Sequence, residues 1–142
     1  MTTIRPVPRL AITSADAPPP AGTYSQAVLA DGTLYISGQT PRLPDGRRCT
    51  DEPFRTQARL TLANLNGIAD AAGTRLADAA FVTVYLRDPR SQATEFDAVY
   101  QDVIGPTDTP PARAIVQSDL PNGEIEVTAV IPVRTLERDH GS

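Results

Sequence analysis

With 142 residues and a net charge of −4, the chain fits one globular domain around a single core, and no apolar run approaches the roughly 20 residues that span a bilayer. All 13 basic residues are arginine, which excludes Schiff-base catalysis, a lysine-anchored pyridoxal phosphate and a Walker-type phosphate loop. The lone histidine, His140, stands in a polar tail, which argues against a Ser-His-Asp triad, a Cys-His dyad and a His-ligated metal.

Residues 1–16 read as an N-terminal extension with a short strand near Arg9 to Thr13. The extension has no apolar h-region, so it is not a secretory signal peptide, and a cytoplasmic location is expected. Residues 17–133 form the single domain, which Pro18-Pro19-Pro20 approaches in an extended conformation. Ser25 to Ala30 and Thr33 to Ser37 are β-type runs. Between them Asp31-Gly32 fits a type I′ hairpin turn, whose central residues need positive φ. The loop from Gly38 to Thr50 is rich in turn formers: Pro41, Pro44, Asp45 and Gly46.

Helical spacing then takes over. Pro53 suits a first turn, Phe54, Ala58, Leu62, Leu65, Ala69 and Ala72 recur on one face, and Gly73 suits a left-handed end. Ala80 to Leu86 alternates as a strand, with Val82, Val84 and Leu86 on one face and Phe81, Thr83 and Tyr85 on the other. Pro89 and Ser91 open a second helix whose buried stripe is Phe96, Val99, Tyr100 and Val103, and Gly105-Pro106 stops it. Further strands finish the domain, giving the order β-β-β-α-β-α-β-β, and residues 134–142 form a polar C-terminal tail. The helices suffice to cover one face of such a sheet. From Val127 to Val133 the last strand offers its other face almost no polar residue except Thr128, so that face is expected to pack against another subunit.

The chemistry-bearing residues gather between Thr109 and Val133. Arg113 opens an apolar strand, and Glu126 sits inside the alternating run that follows the Pro121-Asn122-Gly123 turn. A charge in such a segment costs several kcal/mol unless it is paired or solvated. Opposite charges in what read as neighbouring strands therefore mean either a buried ion pair that fixes register or a site. In a site, Arg113 would grip a carboxylate bidentately and Glu126 would serve as general base for water. Cys49 is alone in the Asp45–Thr50 loop, either a low-pKa thiol beside Arg47-Arg48 or an incidental loop cysteine. The arginines are otherwise scattered and aromatic residues are few, so nucleic acid is not an expected partner.

Four motifs in register resemble the RidA/YjgF family of reactive-intermediate deaminases: Gly22-Thr23-Tyr24-Ser25-Gln26-Ala27, Ile36-Ser37-Gly38-Gln39-Thr40-Pro41, Pro111-Ala112-Arg113 and Ile125-Glu126-Val127. The similarity covers about residues 17–133. It implies a chorismate-mutase-like α+β fold, a β-sheet with two helices packed on one face, assembled as a homotrimer with sites at subunit interfaces. It also implies cofactor-free hydrolysis of enamines and imines such as 2-aminoacrylate and 2-aminocrotonate to 2-oxo acids and ammonia; that no metal, nucleic acid or membrane is involved is the expectation from composition. By the same resemblance Arg113 holds the substrate carboxylate and Glu126 positions and activates water. Tyr24 lines the pocket, with Ser37 and Gly38 beside it. Glu124 is a rival for the base by spacing, but Ile125-Glu126-Val127 followed by Ala129 fits the family register better.

The chain departs from the family pattern in three places. Thr23 replaces the usual Pro before the tyrosine. Asp97 stands where many members have Asn, bringing negative charge to the cleft, and Ile115 replaces a frequent Cys two residues after the arginine. Asp97 and Ile115 are thus candidate substrate-binding positions. They favour a second reading, a pathway-dedicated member that binds or transforms a larger imine. A third reading is an RNA-directed or purely binding role, against which the missing Lys and the net negative charge count.

Overall fold

The computed structural model describes residues 2–134; the tail beyond them, His140 included, lies outside the described residues. The elements in chain order are β1 (Arg9–Ile12), β2 (Ala27–Ala30), β3 (Thr33–Gln39), α1 (Phe54–Ala71), a 3-10 turn (Leu76–Asp78), β4 (Phe81–Leu86), α2 (Pro89–Ile104), β5 (Ala112–Gln117) and β6 (Ile125–Pro132). The strands form one six-stranded sheet in the order β1-β2-β3-β6-β4-β5. Every pairing is antiparallel except β4 with β5, which α2 joins as a parallel crossover. The β2–β3 hairpin turns on Asp31 and Gly32 at φ 51° and 75°, the type I′ signature expected of that dipeptide. Helix α1 ends as expected at Gly73, with Gly73 N donating to Asp70 O and Thr74 N to Ala69 O.

Alternation along the strands decides which face is core. Leu34 and Ile36, then Val82, Val84 and Leu86, then Ile125, Val127, Ala129 and Ile131 are buried under both helices. They meet Ala58, Leu62, Leu65 and Ile68 of α1 and Phe96 and Val99 of α2. Truncating one of these, such as Leu62→Ala, should cost about 2–5 kcal/mol through the cavity it leaves. The stripe of α1 also buries Gln57, Thr61 and Asn64, which hydrophobic spacing does not reveal. Gln57 Nε2 donates to Thr50 O and Glu52 O, and Asn64 Nδ2 to Thr40 O and Arg42 O. These bonds tie the loop after β3 to the helix.

Among the described residues nothing covers the opposite face of the sheet. Register aligns Val28, Tyr35, Val130, Phe81 and Ala112 in one row across five strands. Tyr35 and Phe81 there are 51% and 42% exposed. Further rows hold Thr83 between Thr128 and Ala114, and Tyr85 between Glu126 and Val116. Glu126 is the one charged residue in these rows. An apolar face of this extent is rare on a monomer.

One sequence expectation changes. Arg113 and Glu126 do not occupy neighbouring strands, because β4 lies between β5 and β6. The α2 crossover sends β5 to the outer side of β4, and β6 returns into the gap between β3 and β4. Arg113 pairs with the core-facing Val82, whereas Glu126 pairs with Tyr85. The two charges are therefore on opposite faces of the sheet and are not an ion pair with each other.

Candidate active site

Arg113 leaves the edge strand β5 toward α2. Its guanidinium carbon lies 4.8 Å from the Tyr100 ring centroid and 5.6 Å from that of Phe96, a stacking geometry that suits a planar cation. Nη1 donates to Asp97 Oδ1 at 2.8 Å, with the two side chains 26% and 40% exposed. That hydrogen bond is the main reason the Asp97 carboxyl is held below its usual pKa; burial opposes it, and the Gln101 amide, 2.8 Å away, assists. Arg113, Asp97 and Tyr100 line a cleft of about 800 Å³, together with Pro110 and Pro111. The Tyr100 hydroxyl is buried without a hydrogen-bond partner, and burial raises its pKa. Asp97 is thus a partner of Arg113 within the chain as well as part of the cleft lining. Tyr100 is both core and cleft wall, a dual role its place in an apolar stripe conceals.

Glu126 faces a second, smaller cleft of about 260 Å³, shared with Tyr24, Gly38 and Asn122. A β-bulge makes room for it. Ile36 pairs with Ala129 and Gln39 with Val127, so Ser37 and Gly38 together oppose Thr128. A Cβ on Gly38 would lie 2.7 Å from Glu126 Oε1, so the carboxylate can rest there only against a glycine. Half-burial raises the Glu126 pKa, and no partner appears among the described hydrogen bonds and ion pairs. Glu124 differs: its Oε2 accepts from Gln92 Nε2 at 3.0 Å, and it does not line this cleft.

Tyr24 stands at the cleft with its hydroxyl accepting from Ala21 N at 3.0 Å, which folds the Pro-rich approach around the ring. Behind it, buried Gln26 accepts from Ser14 N and donates to Ser14 O, Ala17 O and Pro18 O, fixing the cleft's outer wall. Two of the expected binding residues lie apart from either cleft lining. Ser37 donates its hydroxyl proton to Ser25 O at 2.6 Å, a bond that ties β3 to the chain before β2. Ile115 packs against the hydrophobic core. Arg42 and Arg48, which sequence spacing did not single out as site residues, line the Glu126 cleft. Cys49 is partly buried in the same loop. Among the described residues no three His, Cys, Asp or Glu side chains gather as a metal site, and no helix is long and apolar enough to cross a membrane.

One chain therefore carries two clefts, each with its own charged group: a stacked arginine under α2, and a half-buried carboxylate on the open face. Comparison with known proteins agrees with the four motifs. The family described as Endoribonuclease L-PSP matches residues 14–131. A RutC family protein of Sulfurisphaera tokodaii is 39% identical over 116 residues, covering 81% of this chain and 90% of its own. The 2-iminobutanoate/2-iminopropanoate deaminase of Bos taurus is 38% identical over 126 residues, covering 86% and 90%. Among solved structures, RidA from an Antarctic Psychrobacter superposes with a TM-score of 0.78 at 34% identity, over 87% of this chain and 99% of that one. Escherichia coli TdcF with bound serine does so with a TM-score of 0.77 at 30% identity, over 89% and 99%. On the strength of these matches and of the fold, the chain belongs to the RidA/YjgF family, which includes the Endoribonuclease L-PSP and RutC proteins.

Proposed function

We propose that this protein hydrolyses reactive 2-imino acids to 2-oxo acids and ammonium, at sites formed where copies of the chain meet. The observation that carries the reading is Glu126: a half-buried carboxylate with a raised pKa, without a partner among the described hydrogen bonds and ion pairs, lining a small cleft. A desolvated carboxyl is a better base toward water than an exposed one. The naming of a 38%-identical relative as an imine deaminase supports the same chemistry.

In this mechanism the planar Arg113 guanidinium of one copy holds the substrate carboxylate. Glu126 of the adjacent copy orients a water against C2 of the iminium. As the water oxygen bonds to C2, Glu126 takes its proton and the C=N electron pair moves onto nitrogen. The protonated carboxyl then returns the proton to the amine of the carbinolamine. A hydroxyl lone pair forms the carbonyl as the C–N bond breaks, and the hydroxyl proton leaves with ammonia as ammonium. Such imines already react with water, so positioning plus proton transfer, the latter worth about 10²–10⁴-fold, is sufficient.

Two copies are required because Arg113 and Glu126 lie on opposite faces of one sheet. The uncovered apolar face supports a homotrimer. A pathway-dedicated role on a larger imine draws support from the Asp97–Arg113 pair, which offsets part of the anchor's charge. The test uses Arg113→Ala and Glu126→Gln, each assayed with a threonine dehydratase under conditions where imine hydrolysis limits 2-oxobutanoate release. Each variant alone should be inactive. Mixing them with subunit exchange should regenerate roughly one competent site in four, since a site then draws its intact Arg and Glu from different chains. No recovery in demonstrably mixed trimers refutes the shared site, and an inactive wild type refutes the deaminase.

A further inference from the structure

The loop between β3 and α1 presents two arginines to the Glu126 cleft that the hydrolysis itself does not use. Arg42 and Arg48 are direct partners in an isolated antiparallel bridge, which backbone bonds from Leu43 N to Arg47 O and from Cys49 N to Pro41 O reinforce. Directly paired cross-strand side chains share a face, and like charges so placed repel each other. Among the described residues no acid pairs with either arginine: the ion pairs there engage Arg75, Arg87 and Arg113. Arg42 is held by uncharged acceptors, donating Nε to Gly46 O at 3.0 Å and Nη1 to Pro19 O at 2.7 Å, so its charge stays uncancelled. Arg48 is exposed and makes no side-chain hydrogen bond among those described.

Glu126 is the only acid among the described residues that line this cleft, and no ion pair joins it to either arginine. Its pKa moves up through burial, whereas a guanidinium in contact would pull it down. The loop is also firmly built. Buried Asn64 donates to Arg42 O at 2.7 Å, and buried Gln57 holds the loop's far end through Thr50 O and Glu52 O. The cleft lining thus holds one carboxylate and two arginines with no acidic partner among the described residues, an arrangement that an anionic group between the arginines would complete.

We infer that Arg48, backed by Arg42, is a second carboxylate anchor, and that the preferred substrates are 2-imino dicarboxylic acids. This rests on the imine-hydrolase reading. With the 2-carboxylate on Arg113 of the neighbouring copy and C2 beside Glu126, the substrate side chain extends along the wall that bears Arg48. A guanidinium fork matches a carboxylate there in two-point geometry. The reaction that supplies such a substrate is oxidation of an acidic amino acid at its 2-amino group, which leaves an imine flanked by one carboxylate and bearing another.

Two measurements on the full chain test this. In the first, amino-acid oxidases generate in situ either the imine of glutamate or that of 2-aminobutanoate, and hydrolysis of each is followed. The wild type should favour the dicarboxylic imine in kcat/KM. Arg48→Ala should lower that ratio about tenfold, the worth of one charge-assisted contact at a partly exposed site, and Arg48→Glu should reverse it. In the second, calorimetry compares 2-oxoglutarate with 2-oxobutanoate as ligands, and the wild-type preference for the dicarboxylate should vanish in Arg48→Ala. Equal handling of the two imines and the two ligands by the wild type overturns the anchor, as does a ratio unmoved by either Arg48 variant. If the wild type hydrolyses neither imine yet prefers 2-oxoglutarate through Arg48, the hydrolase reading fails and the anion anchor stands.

Discussion

The two clefts differ in what their charged group already has. Arg113 is stacked on aromatic rings and paired with Asp97, so its position is set from within the chain before any ligand arrives. Glu126 is set by exclusion: a bulge and a missing Cβ leave room for its carboxylate, and nothing described binds it. A cation that must hold a substrate benefits from rigid support, because less freedom remains to be lost on binding. A base that must take a proton from water benefits from the opposite, since a partner ion would lower its pKa and weaken it.

Removing each group should expose that difference, and Arg113 should give the larger effect. Arg113→Ala should abolish measurable imine hydrolysis. Arg113→Lys should recover little, because an ammonium reproduces neither the fork nor the stacking. Circular dichroism should show both variants folded, as the side chain lies at the sheet edge rather than in the core. Unfolding of Arg113→Ala would instead assign the residue to structure.

Glu126→Gln should retain binding of 2-oxobutanoate while turnover falls by roughly 10²-fold or more. The pH profile sharpens this. The wild-type rate should fall as acid protonates the base, with an inflection above the ordinary carboxylate value of 4.5 because burial raises the Glu126 pKa. That limb should vanish in the variant. Stability should move the other way. A carboxyl whose folded pKa is raised favours the folded state below its unfolded pKa, and that contribution is lost as pH rises through the folded value. At neutral pH the ionised, half-buried Glu126 is thus a cost, and Glu126→Gln should melt no lower than the wild type. A variant with normal turnover would remove Glu126 from the mechanism, and loss at Glu124→Gln instead would move the base two residues back, to just before β6.

Much of this was legible in the sequence because it is local. Periodicity located the helices and the strands, Asp31-Gly32 announced its hairpin, and alternation in Ala80–Leu86 sorted core from open face residue by residue. Strand order was not legible. Nothing in the alternation of β5 and β6 reveals that β4 separates them, and so the placing of Arg113 and Glu126 on opposite faces was missed. The short 3-10 turn at Leu76–Asp78 escaped because three residues carry no period. Gln57 and Asn64 were invisible for a related reason: a polar side chain within a helical stripe looks like surface until its loop carbonyls are in place. The signal for Asp97 was its chemistry, an acid sixteen residues before a solitary strand arginine, and only the packing of α2 on β5 turns that into a bond.

Asp97 offers the smallest and most discriminating test of the comparison, because it is where the supported arginine gives something up. Its hydrogen bond occupies one donor of Arg113 and its charge opposes the approach of another carboxylate. Asp97→Asn keeps the shape and an acceptor oxygen but removes the charge. Affinity for 2-oxobutanoate should rise several-fold, the scale expected of a partly screened pair, with the gain shrinking at high salt. The accompanying loss of stability at neutral pH should stay below about 1 kcal/mol, since both side chains are partly exposed. Because the Asp97 pKa is lowered, its contribution is present above the unfolded value near 3.8 and fades as pH falls through the lower folded one. Wild type and variant should therefore converge in stability under strongly acidic conditions. If the variant binds 2-oxobutanoate less tightly than the wild type, Asp97 orients Arg113 more than it competes with the ligand, and the arginine's support outweighs the charge it gives up.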